Sequence, residues 1–402
     1  MEFRVLTSAE VESFLSASND WLYNQSPASL EVFQSKGGQG EIVGLVDQGK
    51  IVASARVNYL PYRKIFLSAE IYFGPVFDQT QPEIFDQFLS ALQVYLGHKR
   101  RIIRLRLSPF LVRARIDGAL EVSPDPLAER YDQILADHGL NRLDLNYDQM
   151  AGLQASYFYV KDLEGQNEDE VRASLTVNCR NHMRTASRFG LKIRFLKPDE
   201  VDIFNQMLKA TVARTGMPEF VVNYLTKQEL ETYGDCLKLP LAYIDRDHSL
   251  SILEEQVAEW QAKLDDLATK SDSKRNQARA REAEAALTAA RRRQKQVVDF
   301  CDSQGDLVNL ACSQYLFTGS DCIYLQSAAY EESFLFSAVY AIHDLMIHQA
   351  VEAGVKRYNM FAVSDPFAED TGDAQVAQFK ANFNGYTMQL LGNYEQKLSF
   401  LA

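Results

Sequence analysis

The stretch QFKANFNGYTM, residues 378 to 388, places Lys380 between Phe379 and Phe383, just before Gly385. In one interpretation the two phenylalanines, four residues apart, pack on one helical face while the lysine points to water. Lysine side chains are almost always solvated, which favours that interpretation for an arbitrary Phe-Lys-x-x-Phe. In the other interpretation the rings form a low-dielectric wall, against which a positive charge acts more strongly on a reacting group.

Length and composition limit the possible domain organisation and function. A chain of 402 residues predicts two domains of roughly 150 residues each plus a further segment. With 46% hydrophobic and 24% charged residues, the bulk of the chain is expected to fold. The formal net charge of −12 argues against a nonspecific polyanion binder, so any contact with nucleic acid must be local.

The cysteines and histidines indicate no metal site. The five cysteines form no CxxC pair and no Cys/His spacing typical of zinc, so reduced and mostly buried thiols are expected. His343 and His348 are five residues apart, about 140° around a helix, which does not suit a shared metal ion. We therefore predict neither a metal nor a cofactor.

The N-terminus MEFRVLTSAEVESFL carries acidic residues where a signal peptide has basic ones. No apolar run approaches the 18 residues of a spanning helix. The predicted location is cytoplasmic, with any membrane contact made peripherally at the inner face.

The order of predicted elements repeats. The first 150 residues predict a helix over about 8–22, a hairpin turning at Gln48-Gly49, a helix over about 81–96 and the strand RIIRLRLSP. From Tyr157 onward, strands and helices alternate again, followed by a hairpin in LVNLACSQYLFTGSDCIYLQSAA and a long helix ending near Gly354. Two β/α units of similar size and order suggest duplicated halves in an α/β (α+β) fold.

A segment of another kind lies within the second unit, over about residues 248–300. Apolar residues recur there in 3-4 steps along two successive helices: Leu250, Leu253, Val257, Trp260, Leu264 and Leu267, then Ala280, Ala283, Leu287, Ala290, Gln294, Val297 and Cys301. Two such seams joined by a short polar break predict an antiparallel coiled-coil arm of about 35 to 40 Å. Its second helix is basic, which fits either a solvated face or a contact with RNA or anionic lipid.

Several strings together resemble the FemABX family of peptidyltransferases. They are QSPASLEVFQSK, CRNHMRTASRFGLKIRF, MLKATVARTG, the long helix of residues 334–354 followed by YNMFAVS, and the closing QFKANFNGYTMQLLGNYE. The resemblance covers nearly the whole chain, and the order and spacing of the strings are more specific than any one of them. It implies two tandem acetyltransferase-like (GNAT-like) subdomains with the arm inserted in the second. The implied divisions are residues 1–150 plus 390–402, residues 151–247 plus 301–389, and the arm over 248–300.

The same resemblance implies an activity: transfer of an amino acid from aminoacyl-tRNA to the stem-peptide amine of a peptidoglycan precursor, building the interpeptide bridge. Lys380 matches the family's catalytic lysine. Aminolysis of an ester forms an oxyanion and expels a ribose hydroxyl, and a cation in a partly dry site serves both steps. The implied partners are aminoacyl-tRNA and lipid II or the soluble muramyl-pentapeptide precursor.

The expected binding residues follow the same matches. Lys36 and Arg214 match positions that clamp the diphosphate, although a loop lysine and a helix-capping arginine are equally good interpretations. Tyr224, Tyr358, Asn359 and Phe383 are expected to contact substrate, with packing as the alternative for the aromatic residues. Candidates for binding tRNA are the basic residues Arg291, Arg292, Arg293 and Lys295.

Two departures from the family pattern affect the chemistry. Ser108-Pro109 stands where many relatives have Asp-Pro, so an aspartate base is absent from that position. Phe220 stands before Tyr224 where many relatives carry an arginine. We therefore expect the attacking amine to arrive neutral or to lose its proton to substrate or water.

Two other functions compete with this one. An acyl-CoA-dependent N-acetyltransferase would need a glycine-rich pyrophosphate loop after a strand, and KGGQGE precedes one. A non-enzymatic tRNA-binding protein would use the arm alone, and deletion of the arm would then abolish all binding.

Overall fold

The computed structural model describes residues 1–143, 153–216, 222–368 and 374–399. Its helices are α1 Ser8–Ser16, α2 Pro27–Ser35, α3 Pro82–Gly97, α4 Ala128–Asp137, α5 Glu168–Ser174, α6 Val177–Arg188, α7 Val201–Thr215, α8 Lys227–Tyr233, α9 Arg246–Ala268, α10 Lys274–Gln304, α11 Ala338–Glu352 and α12 Ala374–Ala381. Its strands are β1 Glu2–Val5, β2 Gln39–Asp47, β3 Lys50–Tyr62, β4 Phe66–Tyr72, β5 Val76–Phe77, β6 Ile102–Ser108, β7 Val112–Ile116, β8 Val122–Pro124, β9 Asn141–Leu143, β10 Tyr157–Asp162, β11 Lys192–Phe195, β12 Leu237–Lys238, β13 Pro240–Asp245, β14 Leu307–Phe317, β15 Asp321–Ala329, β16 Arg357–Ala362, β17 Tyr386–Leu390 and β18 Asn393–Lys397.

Eight of these strands form the first sheet, in the order β1-β2-β3-β4-β6-β18-β9 with β5 beside β3. The predicted hairpin is confirmed: β2 and β3 pair across Gln48-Gly49, and both turn residues have positive φ. Alternation along the central strands buries one apolar face, which packs against α3 and α4. The opposite face carries polar side chains over β3, β4 and β6, and α2 packs at its edge.

Ten strands form the second sheet, in the order β11-β13-β14-β15-β16-β10-β17-β7-β8 with β12 beside β14. The predicted hairpin of β14 and β15 is confirmed as an antiparallel pair. Helix α11 then crosses to β16, which runs parallel to β15. The long helix begins later than predicted, since Glu331–Phe336 forms a separate 3-10 helix.

The chain exchanges strands between the two sheets. Strands β7 and β8 directly follow β6 of the first sheet in sequence but belong to the second sheet. There β7 pairs with β17, and β8 pairs with β7. Strand β18 returns to the first sheet between β6 and β9. The proposed domain bounds remain a prediction, and residues 144–152 and 400–402 at their edges lie outside the described residues.

The inserted segment is an antiparallel helical hairpin of α9 and α10. Arg246 pairs with Asp302 near its base, while Arg293 donates to Gln256 and Arg291 to Gln261 further out. The predicted seam is confirmed, because its buried members include Leu253, Leu267, Ala283, Leu287, Ala290, Val297 and Cys301. Leu253, Val297 and Cys301 also join the core of the second sheet, which anchors the arm.

The first helix is shorter than predicted. Helix α1 ends at Ser16, and the chain then turns through Asp20, which has a φ of 55°. Of the five cysteines, four are buried and Cys236 is exposed. Among the described helices, none has both the length and the apolar composition needed to cross a bilayer.

Candidate active site

Lys380 lies in the last turn of α12 and is buried, with 5% of its surface exposed. Its Nζ donates a hydrogen bond of 2.6 Å to the carbonyl oxygen of Ala362 at the end of β16. The interpretation in which this lysine points to water is therefore wrong. A buried ammonium held by a carbonyl is the kind of group that can stabilise a developing negative charge.

Aromatic rings form a packed cluster that includes the neighbours of this lysine in the chain. Phe383 is fully buried, and its ring centroid lies 5.6 Å from that of Phe379. Tyr340 stacks on Phe383 at 6.1 Å, and His343 lies 4.6 Å from the same ring. Phe383 therefore belongs to a buried aromatic cluster three residues from Lys380 in the chain, and its predicted contact with substrate remains a prediction.

The turn after Lys380 is closed against β10 by Gly385. Its amide donates a 2.7 Å hydrogen bond to the Tyr159 hydroxyl. A Cβ atom added at Gly385 would collide with the main-chain oxygen of Val160. Because only glycine fits so close to a neighbouring strand, this residue fixes the path of the chain between Lys380 and β17.

A buried network of hydrogen-bonded polar side chains adjoins this aromatic cluster through His343. The Nδ1 atom of His343 is 2.6 Å from the Tyr358 hydroxyl and 3.0 Å from the Tyr315 hydroxyl. Burial, with a smaller contribution from the nearby Lys380 charge, lowers the pKa of His343 to about 3. The imidazole is therefore neutral near pH 7, and its Nε2 atom has no hydrogen-bond partner among the described residues.

Tyr358 and Asn359 belong to the core rather than to an open cleft. Both are fully buried in β16. The Asn359 amide donates to Asp321 at 3.1 Å, and its oxygen accepts from the Phe361 amide at 2.9 Å. Asp321 also accepts from Arg357, which pairs in turn with Asp20 at 2.7 Å. Direct contact of Tyr358 or Asn359 with substrate remains a prediction, while their observed contacts support the sheet behind Lys380.

Lys36 follows α2 and faces the second unit. Its Nζ lies 2.8 Å from Oε1 of Glu229 on α8. The Lys36 side chain is about half exposed, whereas that of Glu229 is buried. Glu229 also completes a capping box with Thr226 at the start of α8. Sequence reasoning missed this counter-ion because 193 residues separate the two side chains.

Arg214 and Tyr224 flank the end of α7. Arg214 is exposed and lies 5.0 Å above the ring of Phe334, while Gly216 ends the helix with a φ of 69°. Tyr224 is half-buried, with the Lys209 ammonium 5.7 Å from its ring centroid. Phe220 lies outside the described residues. No hydrogen bond, ion pair or ring contact joins Lys36 to Arg214 in the described part of the chain.

The four basic residues on the arm differ in their surroundings. Arg292 is exposed, and Arg291 is exposed with a hydrogen bond to Gln261 of α9. Arg293 is half-buried against α9, donating to Gln256 at 3.3 Å. Lys295 pairs with Asp299 one turn along the same helix. The structure therefore leaves Arg291 and Arg292 best placed to meet a polyanion.

Ser108 does not replace the missing base. Its hydroxyl donates to Oδ1 of Asn393 at 2.6 Å, across the junction of β6 and β18. The neighbouring arginines of β6 are paired with carboxylates: Arg104 with Glu70 at 3.4 Å, and Arg106 with Glu395 at 2.9 Å. These contacts fix the polar face of the first sheet and provide no group poised to remove a proton.

Comparisons with known proteins agree with this architecture. The FemAB family model matches residues 6–401. Aminoacyltransferase FemB of Staphylococcus epidermidis (strain ATCC 12228) is 26% identical over 99% of this chain and 95% of its own length. Aminoacyltransferase FemA of Staphylococcus epidermidis (strain ATCC 35984) is 21% identical over 98% of this chain and 95% of its own.

A solved structure shows the same fold. The crystal structure of FemX superposes with a TM-score of 0.76 and 16% identity, covering 99% of this chain and 97% of that one. The predicted fold class, two tandem acetyltransferase-like units with an inserted antiparallel arm, is confirmed. With a family model matching almost from end to end, this chain belongs to the FemAB family.

Proposed function

We propose that this protein is an aminoacyltransferase that moves an amino acid from aminoacyl-tRNA to the stem-peptide amine of a peptidoglycan precursor. The observation that carries the proposal is the burial of the Lys380 ammonium beside Phe379 and Phe383. Family membership and two relatives named as aminoacyltransferases support it. The product would extend the interpeptide bridge.

In the proposed reaction the acceptor nitrogen attacks the carbonyl carbon of the aminoacyl ester. A C–N bond forms, and the electron pair of the carbonyl collects on oxygen as a tetrahedral oxyanion. Lys380 is the proposed stabiliser of that oxyanion, since a positive charge acts more strongly in a site from which water is excluded. The carbon–oxygen bond to the ribose then breaks, and the ribose oxygen takes up a proton. Overall, one proton passes from the amine to the released hydroxyl.

Among the described residues around Lys380, we identify no carboxylate as a general base for the acceptor amine. Ser108 is committed to Asn393, and His343 is a neutral, fully buried imidazole. We therefore propose that the amine arrives neutral or releases its proton to the substrate or to water. Activity should then rise with pH as a larger fraction of the acceptor amine becomes neutral.

Binding of the precursor is proposed for the seam where α2 meets α8. Lys36 and Arg214 are the proposed partners of the precursor's diphosphate. In the structure Lys36 is neutralised by Glu229, so the diphosphate would have to displace or share that carboxylate. Tyr224 is the proposed contact of the stem peptide. Lipid-linked precursor would require peripheral contact with the inner membrane face, which we include in the proposal.

The arm is proposed to contact the tRNA through the exposed Arg291 and Arg292. A non-enzymatic tRNA-binding protein remains the alternative, and deletion of the arm distinguishes the two. An enzyme with its site at Lys380 should retain some turnover without the arm, whereas a binding protein that relies on the arm would lose all binding. Replacing residues 257–292 with a short flexible linker suits this test, because it deletes Arg291 and Arg292 but keeps Leu253, Val297 and Cys301, which join the core of the second sheet.

One experiment tests the whole proposal. The protein is incubated with a panel of charged tRNAs and lipid II, and the product is identified by mass spectrometry. We expect the acceptor mass to increase by one amino-acid residue, and we expect Lys380→Met to abolish that increase. Transfer from acyl-CoA in place of aminoacyl-tRNA would contradict the proposal and favour an N-acetyltransferase.

A further inference from the structure

Arg56 is a buried cation that has no carboxylate partner in the described part of the chain. It lies on the polar face of β3 with 8% of its surface exposed. Among the described residues, no aspartate or glutamate lies within ion-pair distance of its guanidinium. Burial lowers the pKa of Arg56 to about 10, so the group is still charged near neutrality. Burying a charge without a counter-ion is unfavourable, and such a charge calls for an explanation.

The neighbours of Arg56 hold it in place but do not neutralise it. Its Nε donates to Oδ1 of Asn58 at 2.9 Å, and its Nη1 donates to Oγ of Ser29 at 2.6 Å. The ring of Phe33 lies 5.0 Å from the guanidinium carbon. The remaining nitrogen, Nη2, donates no hydrogen bond to any described residue. One edge of a rigidly held guanidinium therefore keeps its donors available.

A helix end adds to the positive potential around Arg56. Helix α2 begins at Pro27 and is capped by Ser26, and Ser29 lies in its first turn. The first turn of a helix carries partial positive charge, and in α2 the Ser29 amide donates to the Ser26 hydroxyl while Pro27 has no amide hydrogen. The Arg56 guanidinium adds its charge to this potential, so an anion bound there would interact favourably with both.

Helix α8 of the second unit packs against α2 near this position. Tyr233, at the end of α8, packs edge-to-face against Tyr23 with ring centroids 6.4 Å apart. Tyr23 is followed in the chain by Asn24, whose carbonyl oxygen accepts a 3.3 Å hydrogen bond from Arg56 Nη1. The Tyr233 hydroxyl makes no hydrogen bond with the described residues. It is thus a second donor available at the boundary between the two units.

The buried carboxylates of Glu70 on β4 and Glu229 on α8 are engaged elsewhere. Glu70 accepts from the Tyr72 hydroxyl at 2.5 Å and from Arg104 at 3.4 Å. Glu229 accepts from Lys36 and from the Thr226 amide. Neither forms an ion pair with Arg56, so neither neutralises its guanidinium.

We propose that Arg56, the Tyr233 hydroxyl and the first turn of α2 form a binding subsite for an oxyanion group of a small-molecule substrate. The shared ligand chemistry is a phosphate or a carboxylate, which suits a guanidinium edge flanked by a hydroxyl donor. The subsite is distinct from the one proposed at Lys36, because Ser29 and Lys36 are about 10 Å apart along α2. It deepens the proposed function, since a precursor with a diphosphate and a peptide carboxylate offers both kinds of group.

The test measures anion binding and requires no transfer reaction, so it can fail independently of the proposed function. Thermal unfolding of the full chain is followed with increasing inorganic pyrophosphate, and separately with a short peptide ending in a free carboxylate. A ligand that binds the folded state raises the melting temperature with concentration. We expect one of the two ligands to stabilise the wild-type protein, and that ligand identifies the source of the anion.

Arg56→Gln should weaken that ligand's apparent affinity about tenfold or more, as expected for loss of a charge-assisted hydrogen bond. Tyr233→Phe keeps the ring and should weaken it less, which tests the subsite even if Arg56→Gln folds poorly. Arg130→Gln is the matched control, because it removes the same charge from an exposed position on α4. Equal stabilisation of the wild type and Arg56→Gln, or no stabilisation of the wild type by either ligand, would overturn the proposal.

Discussion

The Lys380 ammonium and the main-chain oxygen of Ala362 form a 2.6 Å hydrogen bond that ties the end of α12 to the end of β16. This contact holds a charge in a position with 5% exposure beside Phe383. Burying a charged ammonium costs desolvation free energy. We therefore expect Lys380 to have a role beyond packing.

Lys380→Met should fold and lose most of its transfer activity, with kcat falling about 100-fold or more. Removal of a single preorganised charge at an oxyanion commonly costs that much. Lys161→Met is a matched control, because Lys161 is another buried lysine that donates to a main-chain oxygen, that of Asn384. Steady-state kinetics with circular dichroism on both variants checks the prediction. Activity of Lys380→Met within a few-fold of wild type would remove this lysine from the mechanism.

Glu229→Gln should lower the KM for the precursor several-fold with little change in kcat. The glutamine can still cap α8 through Thr226 but no longer neutralises Lys36, so the lysine is left for the diphosphate. Lys36→Ala should raise KM instead, since it removes binding that is equal in the ground and transition states. Unchanged KM in both variants would place the diphosphate elsewhere.

His343 predicts an acid-sensitive contribution to stability. Its folded pKa of about 3 lies below the unfolded value of about 6.5, so the unfolded chain binds the proton first. The contribution of neutral His343 to the free energy of unfolding is therefore complete above pH 6.5. It decreases by about 1.4 kcal/mol per pH unit as the pH falls toward 3.

His343→Phe keeps a buried ring but removes this titration. Urea unfolding of wild type and variant at pH 6.5 and pH 5 should show the wild type losing about 2 kcal/mol more than the variant over that interval. Equal decreases in the free energy of unfolding of the two proteins would show that His343 is not a neutral buried imidazole in the folded state.

Asp321→Asn should destabilise the protein by about 3–5 kcal/mol and loosen the buried contacts of Arg357 and Asn359. Asp321 is fully buried, and the substitution leaves Arg357 with Asp20 as its remaining partner. Chemical denaturation measures the change. Asp299→Asn, which loses an exposed pair with Lys295, is the control and should change stability by less than about 1 kcal/mol.

Arg292→Gln should weaken aminoacyl-tRNA binding and make it less sensitive to salt, because each phosphate contact releases counter-ions. Arg293→Gln should affect binding less, since Arg293 packs against Gln256 of α9. Filter binding of aminoacyl-tRNA over a range of salt concentrations compares the Arg292→Gln and Arg293→Gln variants. Identical salt dependence in Arg292→Gln and wild type would mean that this residue does not meet the tRNA.

Local patterns in the sequence determined the order of helices and strands, the hairpin at Gln48-Gly49 and the antiparallel arm. Each depends on residues close together in the chain, through turn geometry or the repeat of apolar side chains. The helix predicted through Leu22 failed at Ser16, where polar residues and the positive φ of Asp20 end it. The motif around Lys380 identified a candidate but did not decide whether its charge faces water.

Tertiary structure alone decided the environments of the charged side chains. Lys36 pairs with Glu229, and Arg357 pairs with Asp321 and Asp20, through elements distant in sequence. The same holds for Arg56, which has no such partner among the residues that the structure describes. Alternation along β3 could have indicated that Arg56 shares a sheet face with Asn58, but not that α2 and α8 would enclose it. Charge burial depends on which elements pack together, and no spacing within one element encodes that.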